Sequence, residues 1–274
     1  MKIYNVITIV LLLMFSKLGY GQDSTLFVGN SMVKYRKNHT LEILDEILKA
    51  QPEVHVIDDV CKNGVSLRSH LITLPPHKEN RFGSVAFGTD VIEKAETPLY
   101  IINHNFNKVL FQETPMTVVD SSLFYKKRIH DFRKLDSLTK NHSNQIYWLE
   151  PYAAIYTHTD INPNVNLDSL YNVAYKSFLL LKQYDSNLIN VPIAYITKEF
   201  QKKYPNEDLH IGGMHPNKRM QFILACCLYY SMYEGKPDEI PFLHLFRFDR
   251  HQMKERGLKE YTYKLYQEYL KEYN

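Results

Sequence analysis

Four short stretches carry side chains that could make and break an ester bond. Gly29-Asn30-Ser31-Met32 offers a hydroxyl nucleophile, and Gly64, within 61–70, offers a backbone N–H. Gln112-Glu113 offers a side-chain amide donor, and Gly212-Gly213-Met214-His215-Pro216-Asn217 offers an imidazole. Acyl transfer needs that inventory: a nucleophile, donors for the developing oxyanion and a base. Each stretch alone also has a plain reading. Ser31 could cap a helix, Gly64 could supply a turn with positive φ, and Gln112 could cap the strand it ends. His215 is one of 12 histidines.

These stretches gain meaning from the elements that would position them. Short apolar runs at 25–29, 54–57, 107–112, 145–149 and around 190–194 read as strands. Pro192 makes the last an edge strand or a strand end. Helical spacing marks 40–48, 121–141, 167–185, 217–233 and 255–273, whereas 79–100 and 157–166 read as irregular. Asn103-His104-Asn105 reads as a polar surface turn, and Tyr261, Leu265, Tyr269 and Leu270 as the packed face of the last helix. Strands separated by helix-length connections predict an α/β fold with a mostly parallel five-stranded sheet covered on both faces. In such sheets ligands bind beyond the carboxyl ends of the strands, where all four stretches lie. Glu150 ends the fourth strand on that edge; its type suits a structural hydrogen bond or a substrate hydroxyl.

Taken in order, the four stretches resemble the sequence blocks of the SGNH (GDSL-type) hydrolase superfamily, in its exported bacterial branch with a G-N-S first block. Leu26-Phe27-Val28-Gly29-Asn30-Ser31 resembles the first block and Asn63-Gly64-Val65-Ser66-Leu67-Arg68-Ser69-His70 the second. Val109-Leu110-Phe111-Gln112-Glu113 resembles the third and His215-Pro216-Asn217 the last. The resemblance implies a three-layer, flavodoxin-like α/β/α sandwich. It also implies a Ser31 nucleophile, a His215 base, and an oxyanion hole from Ser31, Gly64 and Gln112, with no metal or cofactor. One position departs from the pattern: where the family has an Asp three residues before the His, this chain has Gly212. That leaves a Ser31–His215 dyad aided by a backbone carbonyl, Glu207 or Asp208, or a relative that binds a glycan without turnover.

Before this domain, residues 1–21 read as a signal peptide. Lys2 precedes the apolar run Val6–Phe15, and small residues lead to a cut before Gln22; an uncleaved anchor is the alternative. The implied location is secreted or periplasmic, with the domain spanning 22–274. The formal charge is +3 over 274 residues, and losing Lys2 and Lys17 with the leader lowers it to +1. So weak a field argues against nucleic acid or a membrane as partner and suits a small-molecule or glycan ester. Cys61, Cys226 and Cys227 show no metal-ligand spacing. They read as buried thiols, with one bridge from Cys61 as the alternative.

Overall fold

The central strands of the main sheet bury apolar side chains on both faces, as packing between two helical layers requires. The computed structural model describes residues 23–30, 33, 40–61, 66–71, 97–113, 128–140, 143–152, 166–211, 215–245 and 255–273. The leader lies outside them.

In chain order the elements are β1 (Asp23–Val28), α1 (Thr40–Lys49), β2 (His55–Asp59), α2 (Leu67–Leu71), α3 (Thr97–Asn103), β3 (Phe106–Gln112), α4 (Ile129–Thr139) and β4 (Ser143–Leu149). There follow α5 (Leu167–Lys182), β5 (Ile189–Val191), α6 (Ile193–Lys203), β6 (His210–Ile211), β7 (His215–Pro216), α7 (Lys218–Tyr233), a 3-10 turn at Pro237–Glu239, and α8 (Glu255–Tyr273). β1 to β5 form one all-parallel sheet in the order β2-β1-β3-β4-β5. This is the flavodoxin-like arrangement, with its switch point between β1 and β3.

Alternate side chains of the sheet feed two cores. Phe27, Leu110, Tyr147, Leu149 and Val191 pack with α1, α6, α7 and α8. Leu26, Val28, Val109, Phe111, Ile146 and Trp148 pack with α2, α3, α4 and part of α5. Between α1 and α8, α7 is buried on nearly all sides, and so it lacks a polar stripe.

The structure departs from the sequence expectation in three places. β5 stops at Val191, and Pro192 stands at the start of α6 instead of within the strand. A proline is well suited to that place, because the first helical N–H groups have no intrahelical acceptor. Ile193, Ile196, Thr197 and Phe200 then turn one helical face inward. Residues 97–103 form α3, where 97–100 were expected to be irregular and Asn103 to open a surface turn, and the two-residue strands β6 and β7 pair as an antiparallel hairpin. The three cysteines are buried thiols, none of them in a disulfide.

Candidate active site

At the switch point the ends of β1 and β3 lie side by side, with Val28 opposite Phe111 in the last ladder pair between them. Gly29-Asn30 follows one strand, and Gln112 completes the other before Glu113. Gln112 is 1% exposed, and its Oε1 accepts the Asn30 backbone N–H at 3.3 Å. A backbone N–H can only donate, so the amide must face it with oxygen, which leaves the NH2 as the group free to donate. The glycine makes this approach feasible: a Cβ on Gly29 would lie 2.8 Å from Gln112 Oε1 and 3.3 Å from Gln112 Cβ. Cys61 Sγ closes the far side, 3.5 Å from the same point.

The Gly29 carbonyl, the other polar group of that peptide unit, accepts from His70 Nε2 at 2.9 Å. His70 Nδ1 faces the Thr97 hydroxyl at 3.1 Å. Because a carbonyl only accepts, the neutral ring carries its proton on Nε2, and the Thr97 hydroxyl donates to Nδ1. A third link joins the same loops. Buried Glu113 accepts the Leu67 backbone N–H through Oε2 at 3.2 Å, and Arg128 Nε stands 3.6 Å from that oxygen. The ends of β1 and β3 and the start of α2 are therefore laced together by side chains where the strand ladder has run out. Val33 N–H donates to the Asn30 carbonyl at 3.2 Å, turning the chain just past the strand. Ser31, Gly64 and Gly212 lie outside the described residues.

His215 sits half-buried on β7, opposite Ile211. Asn217 fixes the start of α7 beside it, with Oδ1 accepting Met220 N–H at 3.0 Å and Nδ2 donating to the Asp208 carbonyl. Of the two carboxylates offered by the sequence as orienters, Asp208 accepts the His210 backbone N–H at 2.8 Å. Glu207 pairs with Arg219, whose side chain is 6% exposed. Neighbouring His210 is buried, and burial, assisted by the charge of His215, pushes its pKa down to about 3. His210 is therefore a neutral packing residue at physiological pH.

Glu150, beyond β4, is fully enclosed by structural partners. Its Oε2 accepts the Ala194 and Tyr195 N–H groups at the start of α6, and Oε1 accepts Asn190 Nδ2 at 2.7 Å. Asn190 Nδ2 also donates to Tyr269 of α8 at 2.8 Å. Burial raises the Glu150 carboxyl to about 7 against the pull of these donors. The structural reading of Glu150 therefore accounts for both of its oxygens. His70 and Thr97 are the residues that sequence reasoning did not single out. In the sequence His70 is only the last residue of the second block, with no role assigned, and its i,i+3 spacing from buried Leu67 reads as simple packing.

Neither a protein-family model nor a curated protein matches the chain. Solved structures do. A DUF4886 family protein from Bacteroides uniformis superposes with a TM-score of 0.66 at 11% identity, over 90% of this chain and 95% of that one. An acetylxylan esterase from Geobacillus stearothermophilus gives a TM-score of 0.53 at 13% identity, over 76% of this chain and 93% of that one. A protein from Slackia heliotrinireducens assigned to the SGNH hydrolases gives 0.51 at 18% identity, over 77% of this chain and the whole of that one. With its all-parallel β2-β1-β3-β4-β5 sheet, the chain has the SGNH hydrolase fold.

Proposed function

We propose that the chain is an exported serine esterase that removes O-acetyl or similar acyl groups from a carbohydrate. The observation that carries this reading is the Gln112 amide, fixed by the Asn30 N–H with its NH2 left to donate at the switch point. In the proposed reaction the Ser31 hydroxyl attacks the acyl carbonyl while His215 takes its proton. The negative oxygen is met by the N–H groups of Ser31 and Gly64 and by the Gln112 NH2. Collapse expels the sugar alkoxide, which receives the proton from His215, and leaves an acyl-Ser31 ester. Water, deprotonated by His215, then releases the acid and restores the serine. The carbohydrate part rests on the fold shared with an acetylxylan esterase.

Hydrolysis of p-nitrophenyl acetate and labelling by a fluorophosphonate probe test the reaction. The wild type is expected to turn over and to label at Ser31, and Ser31→Ala to do neither. Equal hydrolysis rates for the two would refute it. A second reading, glycan binding without turnover, is favoured by Gly212 and by the engagement of Asp208 with the His210 backbone and Glu207 with Arg219. It predicts binding of an acetylated oligosaccharide that Ser31→Ala leaves intact.

A further inference from the structure

We propose that His70 is a positioning residue for the nucleophile, holding the Gly29–Asn30 peptide plane that delivers the chain to Ser31. The inference deepens the serine-esterase reading and rests on it. In a trans peptide unit the C=O and N–H point in opposite directions, so their two partners fix the plane's rotation. Here the partners are side chains from two different elements: His70 of α2 on the Gly29 carbonyl at 2.9 Å and Gln112 Oε1, at the end of β3, on the Asn30 N–H at 3.3 Å. This unit lies past the last β1–β3 ladder pair, Val28–Phe111, so side chains take over where strand pairing stops.

The surroundings make the clamp consequential. His70, Asn30, Thr97 and Gln112 are each at most 2% exposed, so water is a poor substitute for a lost partner. Rotating the plane would strand a buried donor and a buried acceptor together, each losing its hydrogen bond without water to replace it. The Thr97 hydroxyl on Nδ1 selects the tautomer that can donate from Nε2. The two ring nitrogens face Gly29 and Thr97, so the role assigned to His70 is a geometric one. Misplacing a reacting group by about 1 Å can cost on the order of a hundredfold in rate. The Ser31 Oγ is two residues from the clamped carbonyl.

The test compares His70→Leu, which removes the donor, with His70→Gln, whose amide can reach the same carbonyl. His70→Leu is expected to lower kcat on p-nitrophenyl acetate and the fluorophosphonate labelling rate about 30–100-fold, with KM within about threefold. His70→Gln should recover to within about fivefold of wild type, and Thr97→Val, which only frees the tautomer, should lie between them. Hydrogen–deuterium exchange of the peptide covering 27–33 supplies a readout that needs no turnover. Exchange should speed up in His70→Leu and Thr97→Val and stay near wild type in His70→Gln. Thr97→Val keeps the imidazole and carries the test should His70→Leu not fold. Equal behaviour of the Leu and Gln variants in kcat and in exchange, or a silent Thr97→Val, would overturn the proposal. A wild type without turnover that still shows the exchange pattern would instead sink the esterase reading and leave the clamp standing.

Discussion

Replacing Gly29 with alanine should disable the site by displacing Gln112. The added methyl would sit 2.8 Å from Gln112 Oε1, well inside an ordinary carbon–oxygen contact. The backbones cannot yield, because β1 is laddered to β3 up to Val28–Phe111 and β3 to β4 up to Gln112–Leu149. The amide must therefore swing away and abandon the Asn30 N–H. A buried donor left without its acceptor costs about 1–3 kcal/mol of stability. Losing a preorganised oxyanion donor costs about 10²–10³ in kcat. Urea unfolding reads the first term and steady-state hydrolysis of p-nitrophenyl acetate the second. Gln112→Ala should show a similar loss of activity, and the double variant should be no worse than either single one, since with Oε1 gone the methyl has room. The reasoning fails if Gly29→Ala keeps kcat within about threefold of wild type while Gln112→Ala loses a hundredfold. It fails equally if the two losses multiply in the double variant.

Two further variants probe the carboxylates around the site. The folded chain holds the Glu150 proton more tightly than the unfolded chain, with the group raised from 4.5 to about 7. Its stabilisation is therefore complete below about pH 4.5 and is lost as pH rises through about 7, a span worth about 3 kcal/mol at 1.36 kcal/mol per unit. The unfolding free energy of wild type minus that of Glu150→Gln should fall by that order across this window, and a flat difference would contradict the assignment. Asp208→Asn keeps an oxygen for the His210 N–H, so kcat should stay within about fivefold of wild type, whereas loss of a true orienting carboxylate costs about 10⁴.

The sheet was legible in the sequence because its central strands are apolar on both faces and because the charged or polar connections between strands are long enough for helices. Boundaries slipped where a residue serves two elements, as Pro192 does in ending β5 and opening α6. The β6–β7 hairpin was invisible, since two-residue strands carry no periodicity. At the site, the type of Gln112 was readable but its orientation was not. That orientation depends on a contact with Asn30, 82 positions away in sequence, and on the missing Cβ of Gly29. His70 shows the same limit from the other side: a histidine on a short helix looks ordinary until the Gly29 carbonyl is found against it. Asp208 and Glu207 were readable as acids near His215, whereas their partners, a backbone N–H and Arg219, are matters of tertiary geometry.

The place of β1 in the sheet sets an order on folding. The earliest strand among the described residues is an interior one, flanked by β2 on one edge and β3 on the other. Its second edge can be satisfied only after Thr25 meets Lys108 and Val28 meets Phe111. Until then a buried-type apolar strand is left with an open edge, the species that chaperones hold and that aggregates when they do not. At about 5–20 residues per second, a ribosome keeps that edge unpaired for several seconds after β1 emerges. The clamp on Gly29–Asn30 must form later still, because one of its two jaws, Gln112, arrives with β3. Assembly of the proposed catalytic turn is thus a late folding event, and conditions that trap the chain before β3 docks should yield a protein with helices that a fluorophosphonate probe does not label at Ser31.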